Sequence, residues 1–404
     1  STLNLLAIII AIETASLPSY AMVGSDKRSR RGAEASLKYV LFGAATAAIM
    51  VYGASLLYGL YGTLDIPTMA SAIAKSGGLS ALGFFALFAF GVGVAFKISA
   101  VPFHYWCPDV FEGAPIEVTT WLSVVSKGAG IGLLMRLVAA LGVAPDLARL
   151  MLPAAMAIGL IACITCTVGN LAALRQTSVR RMLAYSSIAH AGYVMMAAAI
   201  FMQPADASYN IGLSAVVFYL FVYLLMNLGA FGVTAMIEWR TGTDHIDAFT
   251  ALGRRSPGLA IPMTLCLFSL IGLPPFGGFV AKWWLLLALG RGASLQPWLW
   301  VLVVVAVINT VLSLFYYVRV IAYMFLAQSD EKPASQMRID APLGGLVMVN
   351  ACALALLLLG TVLIDPLGEK SAQFASDLYA GRAATTTQAA SVMPEPLATH
   401  LSQR

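Results

Sequence analysis

Five ionisable side chains stand inside long apolar stretches of this 404-residue sequence. They are Glu13, Lys97, Lys127, His190 and Lys282. A charge at the middle of a bilayer costs about 2.5–3.5 kcal/mol on insertion scales, so such residues usually serve a function. Burial lowers the pKa of a lysine, a neighbouring carboxylate raises it again, and histidine titrates near neutral pH. The set therefore predicts a path for protons through the middle of a membrane.

Other interpretations of single members of this set remain open. Glu13 and Lys97 could form a buried pair that only fixes the register of two helices, although this leaves the other three groups without a role. His190 could be a hydrogen-bonded packing residue. His104 could face the same cavity or cap the end of a broken helix, and the sequence favours neither.

The composition indicates that lipid is the solvent of this chain. Hydrophobic residues make up 60% of it, charged residues only 11%, and the mean hydropathy is +0.84. A soluble domain has about 25% charged residues. The net charge of +5 is modest and forms no long basic tract, which argues against nucleic acid as a partner.

The five cysteines are scattered and do not suggest a disulfide framework. Cys163 and Cys166 have C-x-x-C spacing, but they lie in the middle of an apolar run without a second ligand pair. We interpret them as small packing residues rather than as a metal or redox site.

The apolar runs are long enough for about ten transmembrane helices, since a spanning helix needs roughly 20 apolar residues. The predicted spans are 2–23, 37–62, 79–97 with a continuation, 118–141, 151–174, 182–202, 212–237, 258–289, 298–326 and 342–363.

The distribution of Lys and Arg predicts the orientation, because such residues accumulate in the inner loops. The loops after the first, fifth, seventh and ninth spans are basic, and the intervening loops hold only Lys75, Arg149 and Arg291. Both termini are therefore expected on the outer side. The basic loops contain Lys27, Arg28, Arg30, Arg31, Arg175, Arg180, Arg181, Arg240, Arg254, Arg255, Lys332 and Arg338.

Two of the predicted helices are broken. Prolines interrupt KISAVPFHYWCPDVFEGAP, which begins at Lys97, and prolines and glycines interrupt IGLPPFGGF, which begins at Ile271. Backbone freed at this depth must be buried in protein or line a wet cavity, and paired broken helices indicate a transport site. Lys97 and Lys282 each lie beside a break, about 180 residues apart, which suggests two inverted five-helix repeats.

Six motifs in order make the chain strongly resemble the subunit N family of respiratory complex I, the proton-pumping NADH:quinone oxidoreductase. They are IETASLPSY, EASLKYVLFGA, KISAVPFHYWCPDVFEGAP, VSKGAGIGLLMRL, SVRRMLAYSSIAHAGY and LIGLPPFGGFVAKWW, within residues 3–325. The lysine in the last motif separates the chain from the middle antiporter-like subunit, which has a glutamate there.

The resemblance implies an all-α fold of inverted repeats and a proton-translocating role driven by quinone reduction elsewhere in the complex. In the family, the residue matching Glu13 pairs with the one matching Lys97, those matching Lys127 and His190 form a central polar axis, and the one matching Lys282 faces the exit side. NADH, FMN, iron–sulfur clusters and quinone are expected in other subunits, with no cofactor or metal in this chain. The expected location is an energy-coupling membrane, either the mitochondrial inner or the bacterial cytoplasmic membrane.

The resemblance also divides the chain. We expect a first repeat at 1–141 without its opening helix, a second repeat at 151–326, a transmembrane helix at 342–363 and an outer tail at 364–404 that docks on a neighbouring subunit. Four N-terminal helices of the family have no match here, so a separate fragment or an upstream segment is expected to supply them. Other membrane-arm subunits, including neighbouring antiporter-like subunits, and lipid are the further expected partners.

Three other functions agree less well with these residues. A cation/proton antiporter subunit of the same superfamily is disfavoured by EASLKY, and a solute transporter by the lone lysines at the breaks. A non-pumping scaffold subunit has no reason to keep four costly charges at Glu13, Lys97, Lys127 and Lys282.

Overall fold

The computed structural model describes residues 3–76, 78–141, 148–200, 207–327 and 341–362, and these residues form α-helices and connecting turns without a β-strand. The predicted tail at 364–404 lies outside the described residues. The helices are α1 (Leu5–Val23), α2 (Arg30–Tyr61), α3 (Ile66–Lys75), α4 (Ala81–Ile98), α5 (Trp106–Gly113), α6 (Ile116–Trp121), α7 (Lys127–Leu141), α8 (Ala148–Ala173), α9 (Val179–Ala198), α10 (Ala207–Thr241), α11 (Leu252–Arg255), α12 (Pro257–Ile271), α13 (Gly277–Ala293), α14 (Leu299–Phe325) and α15 (Leu343–Thr361).

Eight helices of the described chain are long and apolar enough to cross a membrane. The two other predicted spans coincide with α9, which carries arginines and serines, and with the pair α12 and α13. Large apolar side chains lie exposed on the outer faces of the helices, for example Leu17 on α1 and Phe315 on α14. The protein is therefore a multi-pass membrane protein, while the count of ten spans stays a prediction.

Polar residues at the helix starts explain several boundaries. Asn4, Ser29 and Ser178 accept hydrogen bonds from the first free N–H groups of α1, α2 and α9. Such caps satisfy donors that have no partner within the helix.

The first predicted break is confirmed between α4 and α5. Helix α4 ends at Ile98, and Ser99 takes a left-handed conformation with φ of 64°. The Val101 N–H donates to Thr165 Oγ1 at 3.0 Å, and Trp106 Nε1 donates to the Phe96 carbonyl at 3.1 Å. Side chains thus satisfy backbone groups that the break frees inside the membrane.

The second predicted break is confirmed between α12 and α13. Helix α12 ends at Ile271, Gly272 takes φ of 88°, and α13 begins at Gly277. The Gly278 N–H donates to Ser269 Oγ at 3.0 Å.

The two breaks differ in the position of their lysines, because Lys97 precedes its break and Lys282 follows its own. The internal repeat and the boundaries 1–141, 151–326 and 342–363 stay predictions.

Helix α9 lies at the centre of the described chain. It packs against α5 and α7 from the first half of the chain and against α13 and α14 from the second half. It also lies very close to α8, since a Cβ added to Gly169 or Gly192 would come 2.6 Å from backbone nitrogen of the opposite helix. Side chains on α9 can therefore contact groups from both halves of the chain.

Candidate functional site: a buried polar path around His190

Lys127 is held inside the protein next to an irregular turn. A π-helical turn, Leu122–Ser126, joins α6 to α7, and Lys127 is the first residue of α7. Turns of this kind are frequent at functional sites. The side chain is 2% exposed, and its Nζ atom donates to Ser187 Oγ on α9 at 2.5 Å. Lys127 thus faces α9 and not lipid.

Lys127 and His190 line one small cavity. About 10 Å³ of it is open to the centre of a water molecule, which is room for about one water. Tyr223 also lines the cavity, and its hydroxyl makes no hydrogen bond of normal geometry within the described chain. The lining residues are Lys127, Gly128, Ile131, Ser187, His190, Ala191, Val194, Tyr219, Leu220 and Tyr223.

Both ring nitrogens of His190 have hydroxyl neighbours. Nδ1 lies 2.7 Å from Tyr219 Oη on α10, and Nε2 lies 3.5 Å from Tyr317 Oη on α14. The Tyr317 hydroxyl is also hydrogen-bonded to Ser186. His190 is 2% exposed, so these hydroxyls and the cavity are the polar surroundings of its ring.

Lys282 bonds to the end of the broken helix. Its Nζ atom donates to the carbonyls of Leu270 at 3.0 Å and Ile271 at 2.9 Å, the last carbonyls of α12. The same atom lies 4.7 Å from the ring centre of Tyr193, and that ring centre lies 5.9 Å from the His190 ring. Tyr193 therefore connects the surroundings of Lys282 with those of His190.

Glu13 and Lys97 interact without a direct contact, and their role as a tunable pair stays a prediction. Lys97 is 8% exposed and Glu13 is half-buried, and each acts on the other electrostatically. No carboxylate–ammonium contact within 4.0 Å joins them in the described chain. Helices α1 and α4 both pack against α2.

The five predicted residues thus fall into two sets. Lys127, His190 and Lys282 surround α9, and Glu13 and Lys97 form the other set. No hydrogen bond of the described chain joins Lys97 to Lys127, so this step of the predicted order has no direct link.

Several partners of the site could not be predicted from the sequence. Cys107 looks like one of the scattered cysteines, but its sulfur lies 3.3 Å from Lys127 Nζ. Ser187 could have been found, because it precedes His190 by three residues and therefore shares its helix face. Tyr219 belongs to an apolar run of α10, and only the packing of α10 on α9 reveals its role.

His104 lies in the first break and is 6% exposed. Its Nδ1 atom makes no hydrogen bond within the described residues, and α5 has no side-chain cap. The two interpretations of His104 therefore stay open.

Ion pairs fix the short helix α5 at the end of the first break. Asp109 accepts from Lys38 Nζ at 2.8 Å and from Arg181 at 2.9 Å, and Arg181 also contacts Glu112 at 2.6 Å. Burial raises the pKa of Asp109, but the hydrogen bond from Lys38 and the charge of Arg181 outweigh it, so this pKa lies below its ordinary value.

A second contact ties α5 to α10. Arg180, 6% exposed, donates to Glu238 at 2.8 Å and to the carbonyls of Phe111 and Ala114. These contacts hold α5, which carries Cys107, against α9.

This chain matches a family described as "NADH:quinone oxidoreductase/Mrp antiporter, TM" over residues 2–313. The chain belongs to this family. It is 39% identical over 383 residues to NADH-quinone oxidoreductase subunit N of Anaeromyxobacter sp. (strain Fw109-5), covering 89% of this chain and 71% of that protein. It is 44% identical over 333 residues to NAD(P)H-quinone oxidoreductase subunit 2 of Crocosphaera subtropica, covering 81% of this chain and 60% of that protein. The family resemblance inferred from the motifs is thus confirmed.

Solved structures show the same fold. A chain of respiratory complex I from Thermus thermophilus with bound aureothin aligns with a TM-score of 0.72 at 33% identity, covering 91% of this chain and 75% of that one. A chain of the Mrp complex from Dietzia sp. DQ12-45-1b aligns with a TM-score of 0.78 at 22% identity, covering 93% and 74%. The second likeness concerns the fold alone.

Proposed function

We propose that this chain is a proton-translocating membrane-arm subunit of complex I. In this proposal protons move through Glu13, Lys97, Lys127, His190 and Lys282, and quinone reduction in other subunits drives the changes of charge. The observation that carries the proposal is that Lys127 and His190 line one buried cavity and that Tyr193 connects His190 to Lys282. Buried titratable groups this close together, with hydroxyls bonded to Lys127 and His190, suit protons better than a larger solute.

The chemistry of each group supports this role. Lysine and histidine exchange protons, and burial makes their charged forms sensitive to nearby charges. Glu13 acts on Lys97 from a distance, so a change in either charge alters the other without breaking a contact. Such a pair can therefore respond to charge changes elsewhere in the complex.

The proposal assigns no redox group to this chain. NADH, FMN, iron–sulfur clusters and quinone belong to other subunits, and the partners are membrane-arm neighbours and lipid. The proposal keeps the division into two repeats, a helix at 342–363 and a docking tail at 364–404. A cation/proton antiporter role is not favoured, since both relatives above are quinone oxidoreductase subunits.

Substitutions in the intact complex test the proposal. Lys97→Ala, Glu13→Ala and Lys127→Met should each reduce proton uptake into sealed vesicles per quinone reduced, while native gels show an assembled complex. Lys75→Ala, at an exposed lysine, is the control. Normal pumping in all three variants would refute the proposal.

A further inference from the structure

Lys127 lacks an acidic partner of the usual kind. Its Nζ atom contacts Ser187 Oγ at 2.5 Å and Cys107 Sγ at 3.3 Å, and lies 5.3 Å from the ring centre of Phe111. No carboxylate forms an ion pair with it in the described chain. A buried ammonium without a negative neighbour is strongly unfavourable, so the charge of Lys127 requires another source of compensation.

Among these neighbours, only the thiol of Cys107 can supply a negative charge. The Ser187 hydroxyl donates to the Ala184 carbonyl at 2.7 Å, which leaves its lone pairs to accept from Lys127, and a serine hydroxyl does not ionise near neutral pH. The Phe111 ring offers only its neutral face. A cysteine thiol can release its proton, and the thiolate that remains accepts hydrogen bonds.

We propose that Cys107 is the proton-exchange partner of Lys127. The S–H bond of Cys107 breaks as an N–H bond forms on Lys127, which leaves a thiolate beside an ammonium, and the reverse step restores thiol and amine. The pair has no net charge in either form. The inference rests on the proposed function, because it supplies the charge balance that Lys127 needs to carry a proton.

The surroundings of the sulfur suit both forms. Cys107 is fully buried, and its Sγ atom lies 3.8 Å from Ser187 Oγ and 4.0 Å from the Ala184 carbonyl. The thiol can donate toward that carbonyl, and the thiolate can accept from Lys127. The ion pairs of Asp109 with its cationic partners anchor α5 two residues away, so the sulfur is held in place beside the amine.

Infrared spectroscopy of the intact complex tests the exchange directly through the S–H stretching band. In Lys127→Met the thiol keeps its proton, so the difference spectrum against the wild type should show a gain of S–H absorption. Equal S–H absorption in the two proteins overturns the proposal. This comparison needs no substitution at Cys107 and does not depend on pumping.

A matched cysteine provides the control for the assignment. The gained band should vanish when Lys127→Met is combined with Cys107→Ser, and it should persist when Lys127→Met is combined with Cys266→Ser. Cys266 is fully buried in α12 and has no lysine contact among the described residues. A band that persists without Cys107 contradicts the assignment.

Pumping by two variants separates proton exchange from packing. Cys107→Ser keeps the size and the hydrogen-bond acceptor but not the acid, and Cys107→Ala removes both. Both should lose proton pumping alike, and pumping restored by serine would reduce Cys107 to a positioning role and overturn the proposal. If Lys127→Met pumps normally together with Lys97→Ala and Glu13→Ala, the proposed function fails, whatever the infrared spectra show.

Discussion

The contact between His190 and Tyr219 gives a sharp test of the path. Tyr219→Phe removes the hydroxyl that lies 2.7 Å from Nδ1 and leaves the ring otherwise unchanged. A buried polar atom that loses its partner costs about 1–3 kcal/mol. This corresponds to about a 5- to 150-fold change in an equilibrium. If protons pass through His190, the loss of this hydrogen bond lowers the population of the ring state that transfers the proton by this factor. Pumping then slows by up to the same factor.

The neighbouring cavity decides where in this range the effect lies. It has room for about one water, and a water that replaces the lost hydroxyl would bring the cost toward the lower limit. Tyr223→Phe is the matched comparison, because Tyr223 lines the same cavity but its hydroxyl makes no hydrogen bond to His190 within the described residues. It should slow pumping much less than Tyr219→Phe.

The assay is proton uptake into vesicles per unit of quinone reduced, with assembly verified on native gels. Wild-type pumping by Tyr219→Phe, or equal losses in the two variants, would show that the hydrogen bond to His190 does not contribute to proton transfer.

Three further variants test other contacts. Lys282→Met removes the ammonium that bonds to the end of α12, and pumping in vesicles is expected to stop while assembly persists. Arg180→Ala removes the ion pair of Glu238 and one donor from each of the Phe111 and Ala114 carbonyls, which should lower stability by on the order of 3 kcal/mol and lower the midpoint of thermal dissociation. Asp109 has a lowered pKa, so its contribution to stability is complete above the pKa of the unfolded chain, about 3.9, and is lost as pH falls through the folded value. Asp109→Asn should therefore remove part of the stability at neutral pH and weaken the acid dependence measured by dissociation of the complex.

Exposed residues provide the controls for these variants. Lys75→Met and Arg28→Ala change charges of the same type at exposed positions and should leave pumping and thermal dissociation unchanged. Pumping by Lys282→Met, an Arg180→Ala midpoint equal to that of Arg28→Ala, or an Asp109→Asn acid profile identical to the wild type would each contradict its prediction.

The sequence predicted the features that follow from composition and from proline. Charges inside apolar runs identified Lys127 and Lys282, and both are buried in the structure. The prolines and glycines located both breaks, because these residues end helical hydrogen bonding. These features can be identified along the sequence without information on which helices pack together.

The partners of these charges could not be predicted, because they depend on helix packing and side-chain direction. Cys107 approaches Lys127 only because α5 folds back against α9. The distance between Glu13 and Lys97 likewise depends on how α1 and α4 pack, and the sequence does not give it. The π-helical turn before Lys127 shifts the direction of every following side chain, and no residue in the sequence marks it.

The bond between Lys282 and the end of α12 links a proton to the shape of the second break. The carbonyls of Leu270 and Ile271 form the negative end of that helix, and an ammonium there is favoured by about 0.3–1 kcal/mol, or up to about 2 kcal/mol when partly buried. A neutral amine keeps two N–H groups but loses this attraction. When Lys282 gives up its proton, the contact that joins α13 to the end of α12 is therefore weakened by about this amount. The charge state of one side chain thus sets how strongly the two parts of the broken helix are held together.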